Sequence, residues 1–378
     1  MGNRILVFIA AALCAFAAAA QISGPPSGGN QRQTVIQQIG PVKVSVDYSS
    51  PHVHSPQGQD RHGKIWGDLV PWGTPNLGFG SCKECPWRAG ANENTVFTAS
   101  HDIQVEGKKL PAGSYGFFIV PAKDADWTVI FSKNHTSWGS YFYDPAEDVL
   151  RVTAKPEKSD YHEVLSYEFP ERKNDSAVMA LKWEDLALPL HIAVPNATDL
   201  YIARITEELR TEPGFSWRGW QEAARYALEN KHPAEALMWA EAAVKAPNGI
   251  GQENYATLST LADAYDVNNK AAESKATRDK ALAHPTATVF DLHQYGRQLM
   301  ARGKKDDALA VFQLNAKLHP NVWPTNWGLA RAYSALGKYP DALKYAKLSL
   351  NQAPDDANRK NIENGIKKLE QGKDLNIN

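Results

Sequence analysis

The side chains with the clearest ligand chemistry in this sequence are two cysteines and a group of histidines. Cys82 and Cys85 are separated by two residues, and His52, His54 and His62 precede them in a segment rich in Gly and Pro. Two thiols at this spacing can close a local disulfide in an oxidising compartment or supply two thiolates to a zinc ion. Because His52 and His54 could complete a set of four ligands, the sequence leaves both the disulfide and the zinc site open.

A second group combines a cation, an amide and a carboxylate within six residues. Arg88, Asn92 and Glu93 could, together with His52, bind a polar ligand or carry general acid–base chemistry. The structural alternative is that Arg88 pairs with Glu93 or another acid while Asn92 holds a turn. Convergence of His52, His54, Arg88 and Glu93 in one pocket would favour the ligand site.

Composition and charge exclude some classes of partner. The chain has 378 residues, 41 basic and 42 acidic side chains and a formal net charge of -1. Without a basic surface, we expect neither nucleic acid nor anionic lipid as a partner. Arg4, the apolar run from Ile5 to Phe16 and three alanines ending at Ala20 are typical of a signal peptide. The sequence therefore predicts cleavage near Ala20, a periplasmic or secreted protein, and no membrane span in the mature chain.

Alternating apolar and polar residues predict a β domain over residues 41–195. The run from Val42 to Tyr48 has the period of two that is typical of a half-buried strand. About ten such short runs, including Tyr141 to Tyr143, are separated by turn residues, which predicts an antiparallel β-sandwich or barrel. Residues 21–40 are rich in Gly, Pro, Ser and Gln and predict a flexible leader. Residues 51–90 form a long loop of the kind that often carries function.

Helical patterns replace alternation after the β region. Residues 196–214 predict a linker helix, with Thr198 as its cap. In residues 215–371, a 34-residue period relates Gly303 to Gly337 and Pro320 to Pro354. This pattern resembles the tetratricopeptide repeat family over about residues 217–354, and a capping helix follows. The predicted fold class is therefore an all-β domain joined to an all-α solenoid.

The β region resembles the exported domain-of-unknown-function family 2911 over about residues 41–170. The ordered motifs are Asp47-Tyr48-Ser49-x-Pro51, Lys64-Ile65-Trp66-Gly67-x-Leu69-Val70-Pro71-Trp72-Gly73, Trp87 to Glu93, Leu110-Pro111-Ala112-Gly113-x-Tyr115, Trp127 to Phe131, Trp138-Gly139 and Tyr143 to Leu150. The resemblance implies an exported domain, sometimes joined to helical repeats, and brings no established activity. Both cysteines lie in an insertion between Gly73 and Trp87, so the resemblance does not imply a role for them.

The repeats favour an interaction function. A stack of such units curves, and the first helix of each unit lines the concave groove. The predicted groove residues are His293, Gln294, Arg297, Asn326, Trp327 and Arg331. Trp327 could equally belong to the core between helices. We therefore predict a module that binds a partner protein or peptide. The alternative is a small-ligand-binding, hydrolytic or metal-dependent β domain that uses the region from His52 to Glu93; the lack of known catalytic motifs favours a protein that is not an enzyme.

Overall fold

The computed structural model describes residues 30–377, which divide into two compact units between Tyr201 and Ile202. The first unit contains antiparallel sheets and the second is helical, which confirms the predicted fold class. The predicted signal peptide, residues 1–20, lies outside the described residues. Within residues 30–377, no helix is both long enough and apolar enough to cross a membrane.

Ten strands build the described part of the first unit. They are β1 Gln31–Ile39, β2 Val42–Ser50, β3 Ala91–Ala99, β4 Ile103–Val105, β5 Lys108–Leu110, β6 Gly113–Val120, β7 Trp127–Ser132, β8 Asp148–Ala154, β9 Glu157–Arg172 and β10 Ser176–Ala193. One sheet has the order β1-β2-β3-β6-β7-β8 and the other the order β5-β4-β10-β9. Their paired strands run antiparallel.

Strand β1 corrects the predicted flexible leader of residues 21–40 from Gln31 onward, and residues 21–29 lie outside the described residues. Its residues pair with β2 in continuous register, from Gln31 opposite Ser50 to Ile39 opposite Val42. Gly40 has a φ of 55°, as the first central residue of a two-residue hairpin turn requires. Most side chains of β1 are exposed, because an edge strand gains its stability from backbone pairing more than from apolar burial. Composition alone therefore missed it.

The two sheets bury one shared core. Val42, Val44 and Val46 are buried where alternation predicts, and five tryptophans pack together in the same core. The rings of Trp66 and Trp87, both from the long loop, lie 5.6 Å apart, which ties that loop to the core. The predicted short strand Tyr141–Tyr143 is wrong: these residues form a turn, in which the Tyr143 N–H donates to the Ser140 carbonyl at 3.1 Å.

The helices follow the last strand in antiparallel pairs. They are α1 Ala197–Glu208, α2 Trp217–Glu229, α3 Pro233–Lys245, α4 Tyr255–Val267, α5 Ala271–Leu282, α6 Val289–Ala301, α7 Lys305–Leu318, α8 Trp323–Ala335, α9 Tyr339–Leu350 and α10 Asp356–Glu370. Capping boxes at Asn254 and Thr288 begin α4 and α6. Gly303 and Gly337, with φ of 75° and 72°, make the tight turns inside the last two pairs.

Candidate functional site

The first helices of the repeat pairs line an open groove. Helices α2, α4 and α6 surround a cavity of about 700 Å³ whose lining includes Gln221, Arg225, Ser259, Asp263, Asp266 and Arg302. The 34-residue repeat then places Asp263, Arg297 and Arg331 at equivalent positions of α4, α6 and α8. One row of charged side chains therefore follows the first helices from the middle to the end of the stack.

The groove carries exposed acidic side chains on α4 and exposed basic side chains at α6. Asp263 and Asp266 are exposed on α4, and Arg297 and Arg302 are exposed at α6. The guanidinium of Arg278, on the second helix α5, donates to the Asp263 carboxylate and, at 3.1 Å, to the Ser259 carbonyl. Because Arg278 approaches from inside the stack, it fixes one carboxylate and leaves Asp266 available to solvent.

The predicted groove residues of α6 divide into exposed and buried ones. Gln294 and Arg297 are exposed, as a contact surface requires. His293 is largely covered, and its Nδ1 lies 2.9 Å from the Pro324 carbonyl, so Nδ1 must carry the proton. Burial lowers the pKa of His293 to about 4. His293 therefore joins α6 to α8 as a neutral imidazole.

Two predicted groove residues of α8 are wrong as exposed contacts. Trp327 is 4% exposed and packs beside Gly365 of α10, while Asn326 is 8% exposed and its Nδ2 donates to Gln352 Oε1 at 2.8 Å. Arg331 lies over the Trp327 ring at 5.3 Å and is only partly exposed. The physical reason is that α10 covers the end of the stack, where a further repeat would otherwise pack.

The cysteines lie on the outer face of the six-stranded sheet. Cys82 and Cys85 form a disulfide with Cα atoms 5.6 Å apart, and both are buried against Phe118, Ile130 and Tyr143. Within residues 30–377, no group of three or more His, Cys, Asp and Glu side chains is placed to hold a metal ion. The zinc set of these cysteines with His52 and His54 is therefore not assembled in the described part of the chain.

The two histidines contact β9 instead. His54 Nδ1 lies 2.9 Å from Glu163 Oε2, and His52 Nδ1 lies 3.8 Å from Glu163 Oε1. The hydrogen bond to Glu163 raises the pKa of His54. Although partial desolvation opposes it, hydrogen bonds from Tyr161 and His54 lower the pKa of Glu163 to about 2. This cluster can hold the start of the long loop against β9 through charge-assisted hydrogen bonds.

The second predicted group makes structural contacts, but Arg88 does not form the predicted pair with Glu93. The Arg88 guanidinium donates to the backbone carbonyl of Asn92 at 2.5 Å, and Asn92 has a φ of 58° at the start of β3, where the pairing with β2 is irregular. Glu93 pairs with Arg32 of β1 at 3.4 Å and not with Arg88. In the described residues, Arg88, Glu93 and the two histidines therefore have separate partners and do not form the predicted pocket.

The sequence of the first unit decides the family. Residues 30–192 match the DUF2911 family, whose description is a protein of unknown function. Residues 30–192 are therefore similar to this family. This confirms the predicted resemblance and extends it to include β1 and most of β10. No curated protein matches the chain.

Solved structures are similar to the helical part. The crystal structure of MamA is 16% identical, with a TM-score of 0.30, and the match covers 41% of this chain and 88% of that one. YrrB, a TPR protein with an unusual peptide-binding site, is 16% identical with a TM-score of 0.29, covering 45% and 84%. The C-terminal part of a TPR repeat-containing protein from Cytophaga hutchinsonii is 13% identical with a TM-score of 0.34, covering 47% and 67%.

Sequence reasoning missed the partners that the β domain supplies to its long loop. Glu163 and Tyr161 lie on β9, and Asp185, which contacts His62 at 2.8 Å, lies on β10. Their only local signal is that acidic and aromatic residues cluster where these two long strands pair. The partner of His54 is 109 residues away along the chain, so no spacing rule could have found it.

Proposed function

We propose that this chain is an exported protein whose repeat groove binds an extended segment of a partner protein. The observation that carries the proposal is the open groove of about 700 Å³ on the first helices, which is lined by charged side chains including Asp263 and Asp266. The exposed Arg297 lies at the α6 position that the repeat makes equivalent to Asp263. Exposed carboxylates and guanidinium groups in a concave surface can form charge-assisted hydrogen bonds to a chain laid across them. A backbone in extended conformation fits a groove that crosses successive helices.

The charges of the groove define the chemistry of the segment. Asp266 on α4 favours a basic side chain, and Arg297 on α6 favours an acidic one. Neighbouring packed helices lie about 8–10 Å apart, and an extended chain advances about 3.3 Å per residue. We therefore expect a basic and an acidic residue separated by about three positions in the bound segment.

A displayed library of random peptides, selected on the purified full-length mature protein, tests this proposal. Selected peptides should share the basic and acidic residues at the expected spacing. Asp266→Asn and Arg297→Ala should each weaken a selected peptide about fivefold, the effect of losing one exposed ionic contact of about 1 kcal/mol. Glu363→Gln, on the exposed side of α10, is the matched control and should bind as the wild type does.

Two outcomes would contradict the proposal. The first is a selection that yields no peptide above background. The second is a set of selected peptides that bind Asp266→Asn and Arg297→Ala as tightly as they bind the Glu363→Gln control. Circular dichroism of each variant separates a lost contact from a lost fold, since the variants lie on helices whose signal dominates the spectrum.

The proposed location rests on the first twenty residues of the sequence. A charged start, an apolar run and alanines before Gln21 form the pattern that export machinery cleaves. Mass spectrometry of the protein recovered from the periplasm or medium should give Gln21, or a residue within a few positions of it, as the first residue. Recovery with Met1 intact, or with a lipid on Cys14, would contradict a cleaved and soluble product.

A further inference from the structure

The residues after α10 reverse direction and return to the repeat stack. Gly372 has a φ of 67°, and its N–H donates to the Leu369 carbonyl at 2.9 Å. The N–H of Lys373 donates to the Lys368 carbonyl at 3.0 Å. These two bonds with a left-handed glycine are the usual way for a helix to end and its chain to turn back. Residues 373–377, here named the tail, then lie along α8.

The tail makes a continuous set of polar contacts with α8. Ser334 Oγ donates to Asp374 Oδ1 at 2.7 Å and accepts from the Leu375 N–H at 2.8 Å. Arg331 donates to Asn376 Oδ1 at 3.1 Å, and Asn376 Nδ2 donates to the Arg331 carbonyl at 3.0 Å. Backbone and side chains of the tail are thus both used, which is how a bound peptide is recognised.

Leu375 supplies the apolar part of the same contact. Its side chain packs in the cluster that contains Trp327, beside Gly365 of α10. Asp374 and Asn376 face α8, while Leu375 between them fills an apolar position. Residues 375 and 376 form a turn, in which the Asn376 N–H and Nδ2 both donate to Asp374 Oδ1, at 3.1 and 2.7 Å. This turn sets Asp374 and Asn376 against α8 and Leu375 against the apolar cluster.

The tail lies on the face of the stack that forms the groove upstream. Arg331 and Ser334 are 34 residues after Arg297 and Met300, and those are 34 residues after Asp263 and Asp266, which line the cavity. Equivalent positions of stacked repeats share one face. The tail therefore contacts α8 where a partner segment would contact it.

The fit between tail and groove is incomplete. Arg331 Nε is buried and has no hydrogen-bond partner among the described residues. Another nitrogen of the same guanidinium donates to Asn376 Oδ1. A carboxylate can accept two parallel bonds from one guanidinium, which an amide oxygen cannot do as well. An acidic residue in the place of Asn376 would therefore bind this end of the groove better than the tail does.

Building on the function proposed above, we propose that the tail is an intramolecular ligand of the groove. It occupies the α8 end until a partner protein displaces it with a segment of matching chemistry. That segment has an acidic residue, a branched apolar residue and a second acidic residue in sequence, and the second acid replaces Asn376 at Arg331.

The test compares the full-length mature protein with a chain that ends at Gly372. Two labelled synthetic peptides serve as probes: residues 373–378, Lys-Asp-Leu-Asn-Ile-Asn, and the same peptide with N376D. The shortened chain should bind the first peptide, and the N376D peptide at least fivefold more tightly. The full-length protein should bind both at least tenfold more weakly, because its linked tail competes at an effective concentration in the millimolar range.

Controls keep the outcome decisive. Arg331→Ala in the shortened chain should remove the preference for the N376D peptide. If the shortened chain loses its helical signal, full-length protein with Asp374→Ala and Asn376→Ala replaces it, because this variant retains Leu375. The double variant should bind the N376D peptide more tightly than the wild type does. Equal binding by full-length and folded variant proteins, or no binding by the folded variant, would overturn the proposal. If library peptides still respond to Asp266→Asn in that case, the groove function stands and only the role of the tail fails.

Discussion

At the scale of single residues, two glycines set how closely the repeats pack. A Cβ added at Gly296 would meet the Phe312 ring at 2.7 Å, and one added at Gly328 would be closer still to the same ring. Both glycines lie in first helices, α6 and α8, and Phe312 of α7 is fully buried between them. The 34-residue packing therefore depends on a large side chain that fits only against bare backbone.

Gly328→Ala should lower the free energy of unfolding by about 1–3 kcal/mol, because the new methyl group overpacks the Phe312 site. Urea denaturation followed by circular dichroism measures the change. Phe312→Leu combined with Gly328→Ala should recover part of the loss relative to the sum of the single changes, since the smaller side chain makes room. Strict additivity of the two substitutions would contradict the contact.

The histidine contacts of the β domain predict a dependence on pH. Hydrogen bonds to Glu163 and Asp185 raise the pKa of His54 and of His62 respectively. The stabilisation from the histidines is complete below their unfolded pKa of about 6.5 and is lost as the pH rises through the folded values. The lowered pKa of Glu163 gives the opposite pH dependence: its contribution to stability is lost as the pH falls toward about 2. The loop should be held most firmly between about pH 4.5 and 6.5.

Titration of the His54 ring proton by NMR should give a midpoint above about 6.5 in the wild type. Glu163→Gln should move that midpoint down, because it removes the acceptor that favours the protonated ring. Asp185→Asn is a matched control, since it removes the partner of His62 and should leave the His54 midpoint in place. A His54 midpoint that does not respond to Glu163→Gln would refute the contact.

At the scale of elements, the long loop is fastened at several points. Trp66 and Trp87 enter the core, His54 contacts β9, and the disulfide between Cys82 and Cys85 packs on the outer face of the sheet. A disulfide that closes so short a loop removes little chain entropy from the unfolded state, about 2 kcal/mol at most. Most of the order of the loop should therefore come from packing.

Thiol labelling of the purified protein, denatured without reductant, should detect no free thiol and then two after reduction. One thiol before reduction would instead mean that Cys14 is retained. Replacing both cysteines by serine should leave the protein folded, with a free energy of unfolding lower by about 2 kcal/mol or less. Hydrogen exchange should increase in the segment around residues 74–86 and stay unchanged in β2, which serves as the internal reference.

At the scale of the whole molecule, the chain consists of two units with separate cores. The boundary lies between Tyr201 and Ile202, inside α1. The core of the first unit joins the two sheets, whereas the buried apolar residues of the second form successive clusters along the repeats. Cores with this composition can each support a fold of their own.

A fragment of residues 21–201 should therefore give a β-type circular dichroism spectrum, and a fragment of residues 202–378 a helical one, each with a cooperative thermal transition. Repeat stacks hold together by contacts between neighbours, so the helical fragment should refold reversibly without the β domain. If either fragment unfolds without cooperativity, the two units do not fold independently.

Much of this architecture follows from local pattern. Alternation from Val42 to Tyr48 predicted which side chains of β2 are buried, and the recurrence of Gly303 at Gly337 predicted stacked repeats, in which both glycines make the same turn. Both are properties of a short segment: period two selects one face of a strand, and a repeated unit must place the same residues in the same contacts. The fold class and the resemblance to a known family therefore follow from the sequence alone.

What only the tertiary structure decided is which surfaces remain open. Trp327 has the spacing of a groove residue but is covered by α10, and β1 is ordered by pairing with β2 although its own residues are mostly polar. Glu163 meets His54 because two strands bring distant residues together, and the tail reaches Arg331 because Gly372 reverses the chain. A periodic pattern specifies which face of an element is buried; it does not specify which distant element covers that face, because that choice depends on the packing of the whole chain.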